Sequence, residues 1–159
     1  MKRNHNGFTV LEIVVVLVLI SIIATAVFTR SITTDQINFV GQADKIISHL
    51  RYAQSMAMKR NEVWGIFNDG NQYWLFQWTD PSYEGNMKRL PGQETDIISL
   101  LNLHLTMDYF ILYFDGIGKP YEQNRYNPLR TVLGIQIQNS DGPQSKTFYI
   151  TPETGFIRK

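Results

Sequence analysis

One carboxylate in this chain stands where a charge is expensive. Glu12 lies five residues past Gly7, at the head of a run from Ile13 to Thr29 that carries no charge at all. A charged side chain at the centre of a membrane-length helix costs roughly 2.5 to 3.5 kcal/mol on insertion scales, so an acid kept there has a partner and a task. Ion pairing is the chemistry it offers. Other reactive groups are sparse. His49 borders an apolar stripe, His104 sits in a segment of ambiguous structure, and His5 lies at the extreme N-terminus. No G-x-S-x-G, phosphate-binding loop or zinc-type spacing joins them. Asp69, Asp80, Asp96 and Asp115 do not have the spacing of a calcium loop, and turn chemistry accounts for most of them. The sequence therefore predicts no enzyme activity, no cofactor and no metal.

The element that must position Glu12 is a helix. Phe8 to Thr29 would extend about 33 Å at about 1.5 Å per residue, enough for a hydrocarbon core of about 30 Å. Lys2 and Arg3 precede it, with His5 beside them, and the positive-inside tendency holds such a short leader in the cytoplasm. Residues beyond Arg30 are then exported. Three readings compete for this N-terminus. A secretory signal peptide would use Lys2 and Arg3 as its basic region, Val10 to Ile23 as its apolar region and Ala24-Thr25-Ala26 as its cleavage site. An uncleaved anchor would tether an unrelated domain. Neither has a reason to carry Glu12.

The third reading rests on Gly7-Phe8-Thr9-Val10-Leu11-Glu12. A short basic leader ending in Gly, then Phe, a Ser or Thr, two aliphatics, a Glu and about twenty apolar residues resembles the type IV prepilin signature. The likeness covers about the first thirty residues. It implies that a prepilin peptidase cuts between Gly7 and Phe8 and methylates the new Phe8 amino group, and that Glu12 then pairs with the charged N-terminus of a neighbouring subunit. Other pilins or pseudopilins, and an inner-membrane assembly platform driven by a cytoplasmic ATPase, are the further partners implied. The location implied is the bacterial inner membrane, single-pass, with the N-terminus cytoplasmic and the head periplasmic. Many members place a proline near the end of the apolar run, whereas this chain reads Val27-Phe28-Thr29-Arg30.

Behind the apolar run, Phe39, Ala43, Ile46, Ile47, Leu50, Ala53 and Ala57 recur at steps of three and four, which predicts an amphipathic continuation of the helix. No proline interrupts Phe8 to Arg60, so one helix of about 80 Å is possible, with Gly41 its weak point. Beyond Arg60 the period changes. Glu62 to Asn68 and Gln72 to Trp78 are rich in aromatic and β-branched residues around Asp69-Gly70-Asn71, a hairpin signal. Residues 79 to 95 read as a long surface loop, and Ile97 to Met107 fits either a strand or a short helix. Tyr109 to Phe114, Thr131 to Gln138 and Lys146 to Thr151 read as further strands, so the C-terminal region is expected to be one small antiparallel sheet of about five to seven strands. Of the aromatics Trp64, Phe67, Tyr73, Trp74, Phe76 and Trp78, core packing is the default, with Trp74 or Trp78 the candidates for an outer face.

The expected class is α+β: a long N-terminal helix, membrane-spanning in its first half, packed on a small antiparallel sheet head as in pilins. The expected organisation is a leader over 1–7, a transmembrane helix over 8–29, an amphipathic extension over 30–60 and a periplasmic head over 61–159. Leu50 to Asn61, Phe114 to Gly118 and Ile150 to Gly155 resemble segments of H-type minor pseudopilins and their FimT-like relatives. That resemblance implies a structural subunit of a type II secretion system, the alternative being a minor type IV pilin in pilus assembly, adhesion or DNA uptake. Major pilins of many adhesive filaments staple their C-terminal loop with a disulfide, so within that resemblance the absence of cysteine leans towards a pseudopilin or a minor subunit. Losing Lys2 and Arg3 leaves 13 basic against 14 acidic side chains, so the mature chain has no global basic field. Arg125, Arg130, Lys146, Arg158 and Lys159 give the last 35 residues a mild basic excess that could contact nucleic acid, but a solvated surface is the better reading.

Overall fold

The computed structural model describes residues 9–159 apart from Thr79 and Arg125, with the side chains of 27–35 also outside the description. The chain divides into two compact units, Met1–Asn38 and Phe39–Lys159. One helix, α1 (Val10–Arg60), contributes to both.

In the second unit the helix supplies one wall of the core. All seven stripe residues predicted from the sequence, Phe39, Ala43, Ile46, Ile47, Leu50, Ala53 and Ala57, are buried. Burying a Leu, Ile or Phe side chain contributes about 1.5–3 kcal/mol, so this stripe fixes which face of the helix meets the head. The helix ends where Asn61 turns left-handed, and the Glu62 N–H donates back to the Ala57 carbonyl at 3.2 Å. That is the six-to-one bond of a Schellman stop. Lys59 and Arg60 complement the negative end of the helix.

Among the described residues ten strands follow: β1 (Trp64–Asn68), β2 (Gln72–Gln77), β3 (Met87–Lys88), β4 (Ile97–Ser99), β5 (Leu105–Met107), β6 (Phe110–Phe114), β7 (Pro120–Glu122), β8 (Leu133–Asn139), β9 (Ser145–Ile150) and β10 (Ile157–Arg158). They form two antiparallel sheets. A six-stranded sheet runs β3-β2-β1-β6-β7 with β4 also on β2, and a four-stranded sheet runs β10-β9-β8-β5. The single sheet of about five to seven strands expected for the C-terminal region is thus corrected. Half of the strands are two or three residues long, too short for an alternating pattern to show in sequence. The hairpin at Asp69-Gly70-Asn71 does form, with register Gly65↔Phe76 and Phe67↔Trp74. Asp69 Oδ1 accepts from the Asn71 and Gln72 N–H groups, both at 2.8 Å.

Two further expectations change. The segment read as a long loop carries a 3-10 turn at Glu84–Asn86, the strand β3 and the buried Leu90. The ambiguous stretch Ile97 to Met107 resolves into β4, a 3-10 turn at Leu101–Leu103 and β5, which sends the chain from one sheet to the other. The α+β class is as expected. Helix stripe, Ile66 and Leu112 of the larger sheet, and Ile137 and Phe148 of the smaller one share a single core.

Candidate functional site

Gly7 and Phe8 lie outside the described residues; Thr9 to Glu12 lie within them. Thr9 caps the helix: its side-chain oxygen accepts from the Glu12 N–H at 3.2 Å, and its carbonyl accepts from the Ile13 N–H at 3.2 Å. Glu12 therefore occupies the third helical position, inside the first turn, where a carboxylate is favoured by the unpaired N–H groups of the helix end. The side chains that follow are exposed on every face from Val10 to Ala26. Polar groups in this stretch are satisfied within the helix, Ser21 Oγ donating to the Leu17 carbonyl and Thr25 Oγ1 to the Ser21 carbonyl, both at 2.6 Å. That is how hydroxyls are accommodated where water is absent. Residues 2–28 match the prokaryotic N-terminal methylation motif.

The methylation motif is a type IV pilin-like prepilin signal, and the Gly7-Phe8 bond and Glu12 both fall inside the match. It implies processing by a prepilin peptidase, assembly with other pilins and a membrane-anchored N-terminus. Proteins that carry it are structural subunits. No curated protein and no solved structure matches the chain. Among the described residues no helix is long and apolar enough to cross a membrane. Described side chains of the apolar run stop at Ala26, whereas the predicted span began at Phe8 and ended at Thr29.

Three of the cations considered for nucleic acid, Lys146, Arg158 and Lys159, lie on or beside neighbouring strands of the smaller sheet. Arg125 lies outside the described residues, and Arg130 is exposed. Lys146 and Lys159 both bind one helix carboxylate, Asp44, at 2.5 and 2.8 Å. Hydrogen bonds from Lys146 and then Lys159 hold that carboxyl below the usual range. Arg158 lies 5.6 Å over the Tyr149 ring. Sequence reasoning did not single out Asp44, whose partners are more than a hundred residues away in the chain.

A second feature missed by sequence reasoning ties the helix to two turns. Gln54 Nε2 donates to the carbonyls of Gly118 and Thr154, both at 2.9 Å, and Arg51 donates to the Ile157 carbonyl at 2.9 Å. The helix end, the turn after Phe114 and the turn after Ile150 are three stretches that no sequence pattern brings together. Here they meet at one side chain. Asp115 closes the first turn by accepting from the Ile117 and Lys119 N–H groups, and Lys119 reaches Glu153 in the second at 2.7 Å.

His49 is buried and structural. Its Nδ1 is 3.0 Å from the Tyr73 hydroxyl. Burial lowers its pKa below the ordinary 6.5, a backbone hydrogen bond involving Pro91 works the other way, and the Lys45 charge adds to the lowering. The folded chain thus prefers neutral His49. Stability is fully present above the unfolded-state value and falls as pH drops from there towards the depressed folded value. We expect the urea midpoint of the full chain in detergent to fall between about pH 7 and about pH 5.5, and His49→Gln to flatten that slope. A slope unchanged in the variant excludes His49 as its source. Asp44 titrates in a lower window, below its ordinary 3.8.

Proposed function

We propose that this chain is a structural, non-enzymatic subunit of an inner-membrane filament machine, a minor pseudopilin of a type II secretion system and of H type. The observation that carries the reading is the prepilin-type signal itself, with the Gly7-Phe8 bond and Glu12 in one register. The subunit is stored in the inner membrane by the helix over 8–29, loses residues 1–7, and is extracted into a short periplasmic filament by a platform that a cytoplasmic ATPase drives. Helices bundle inside and heads face outward. Glu12 pairs with the Phe8 amino group of a neighbour, which relieves the cost of each charge only when the register is right. The capping of the first turn by Thr9 supports this, since it orders the helix up to the residue that must be aligned.

A minor type IV pilin in adhesion, motility or DNA uptake uses the same N-terminal device. For DNA uptake the head offers little, because Lys146 and Lys159 are already engaged by Asp44. The mature N-terminus decides first. Mass spectrometry of the chain from a host with an active prepilin peptidase is expected to find N-methylated Phe8; a chain starting at Val27 means an ordinary signal peptide, and an intact Met1 means an anchor.

A further inference from the structure

One stretch of the head wraps around an edge of the larger sheet. It starts on the outer face, where Trp74 Nε1 donates to the Pro81 carbonyl at 2.7 Å and Met87 packs against the small aromatic cluster of Trp74, Phe76 and Tyr113. β3 then pairs with Leu75 and Phe76 along the edge of β2. Leu90 passes to the inner side and is buried in the main core with the helix stripe. After a turn at Gly92, whose φ is +69°, β4 returns to pair with Gln72, Tyr73 and Trp74 at the other half of β2. Residues 80–96 therefore enclose both faces and the edge of one strand. Their hold is light: β3 is two residues long, and tight turns such as Asn86 N–H to Tyr83 and Gln93 N–H to Leu90 supply its backbone bonds. Segments with short ladders and few buried side chains open before the rest of a domain does.

Buried His49 stands under the inner end of this stretch. Its Nδ1 is 3.0 Å from the Tyr73 hydroxyl of β2, and its other hydrogen bond runs to the backbone of Pro91. A proline has no N–H, so the Pro91 carbonyl accepts and His49 donates. A neutral imidazole has one donor and one acceptor, which makes Nδ1 the acceptor of the Tyr73 O–H. A proton on Nδ1 undoes this relay. The buried phenol must then accept instead of donate, and its own hydrogen loses its acceptor. The new charge has no counter-ion either. From the helix, Lys45 repels it; from the wrapped stretch, Arg89 and Asp96 pair with each other on the surface at 3.2 Å and Glu94 is exposed. Among the described residues no carboxylate bonds His49. An unpaired buried charge is costly, so whichever neighbour is held least gives way.

We propose that residues 80–96 form an acid-released strap, whose inner end lifts off the larger sheet when His49 takes up a proton. The helix cannot yield, because its buried stripe is one wall of the core, and β2 is paired to β1 from Tyr73 to Gln77. Lifting Leu90 and Pro91 lets water reach both the imidazolium and the Tyr73 hydroxyl. β3, just before Leu90, is carried with them, which bares the edge of β2 at Leu75 and Phe76 for pairing with another extended chain. The closed strap holds neutral His49, so closure is complete above the ordinary value of 6.5 and weakens as pH falls below it. One proton taken up per opening raises the opening constant by at most about tenfold per pH unit.

Hydrogen exchange of the full chain in detergent, read by mass spectrometry and corrected for the intrinsic effect of pH, measures the opening. Peptides that carry β3 and Gln93 are expected to exchange at least about tenfold faster than those of β8 and β9, because the strap opens without the rest of the head. From about pH 7 to about pH 5.5 their opening is expected to rise about five- to tenfold. His49→Gln keeps a donor and an acceptor without a titrating nitrogen, and its strap opening should stay constant over that range. A second readout uses Leu90→Cys, the sole thiol in a chain that has no cysteine, whose labelling relative to a free thiol should follow the same rise. Wild-type strap opening that ignores pH, strap amides as slow as those of β8 and β9, or a rise that persists in His49→Gln overturns the strap.

Discussion

A Glu12→Ala chain is expected to be cleaved and methylated like the wild type, yet to enter filaments at least about a hundredfold less well. The magnitude separates two roles for the carboxylate. As a charge in the first turn of its own helix, Glu12 contributes about 0.3–1 kcal/mol, less than a factor of ten. As one member of a desolvated ion pair with a neighbour's Phe8 amine, its removal leaves an unpaired ammonium and costs about 3–5 kcal/mol. Processing should be spared, because the cut bond lies at Gly7-Phe8 and the Thr9 cap uses the backbone N–H of residue 12, which alanine keeps. Membrane insertion should be spared too, since the substitution removes a polar penalty. Glu12→Gln keeps the shape without the charge and should resemble alanine. Cross-linking of filament fractions with mass analysis of the N-terminus reads both quantities. Wild-type incorporation of processed Glu12→Ala chains would show that register is set elsewhere.

The parts of this molecule that were legible in sequence are those governed by short periods. A stripe of seven apolar residues at steps of three and four predicted the buried face of the helix, and the Asp69-Gly70-Asn71 hairpin followed from turn chemistry. Both depend on neighbours within a few residues. The division into two sheets was not legible, because it turns on two- and three-residue strands such as β3 and β10 whose pairing is set by distant partners. The aromatics show the same limit. Trp74 or Trp78 is the candidate for an outer face; Trp74 does point outward from the larger sheet but is buried beneath the chain around Pro81, while Trp78 is 59% exposed. Alternation predicts a face, not what folds back to cover it. At the candidate site, the Gly7-Phe8-Glu12 register was readable as a local pattern, whereas Asp44 and Gln54 became visible only with partners tens of residues away or more.

Gly155→Val should be a severely damaging single change in the head. Gly155 has φ of +61°, and a Cβ placed there would stand 2.6 Å from both the Gly118 carbonyl oxygen and Gln54 Nε2. A β-branched residue held left-handed costs about 1–2 kcal/mol, and overpacking against backbone adds about 1–3 kcal/mol. Displacing Gln54 forfeits two hydrogen bonds at about 0.5–1.5 kcal/mol each. The total of about 3–8 kcal/mol is a large share of the roughly 5–15 kcal/mol by which domains are typically stable. Two comparisons isolate the cause. Gly92 has φ of +69° with nothing within 4 Å of its Cβ position, so Gly92→Val carries the backbone cost alone. In a Gln54→Ala background the Gly155→Val penalty should shrink by about 1–3 kcal/mol, because the contact it breaks is already gone. Urea titration of the full chain in detergent measures all four variants. Equal losses at positions 155 and 92 would mean that backbone conformation alone explains the effect; the larger loss at 155, and its reduction without Gln54, identifies the junction of helix and turns as the point that holds the helix end onto the head.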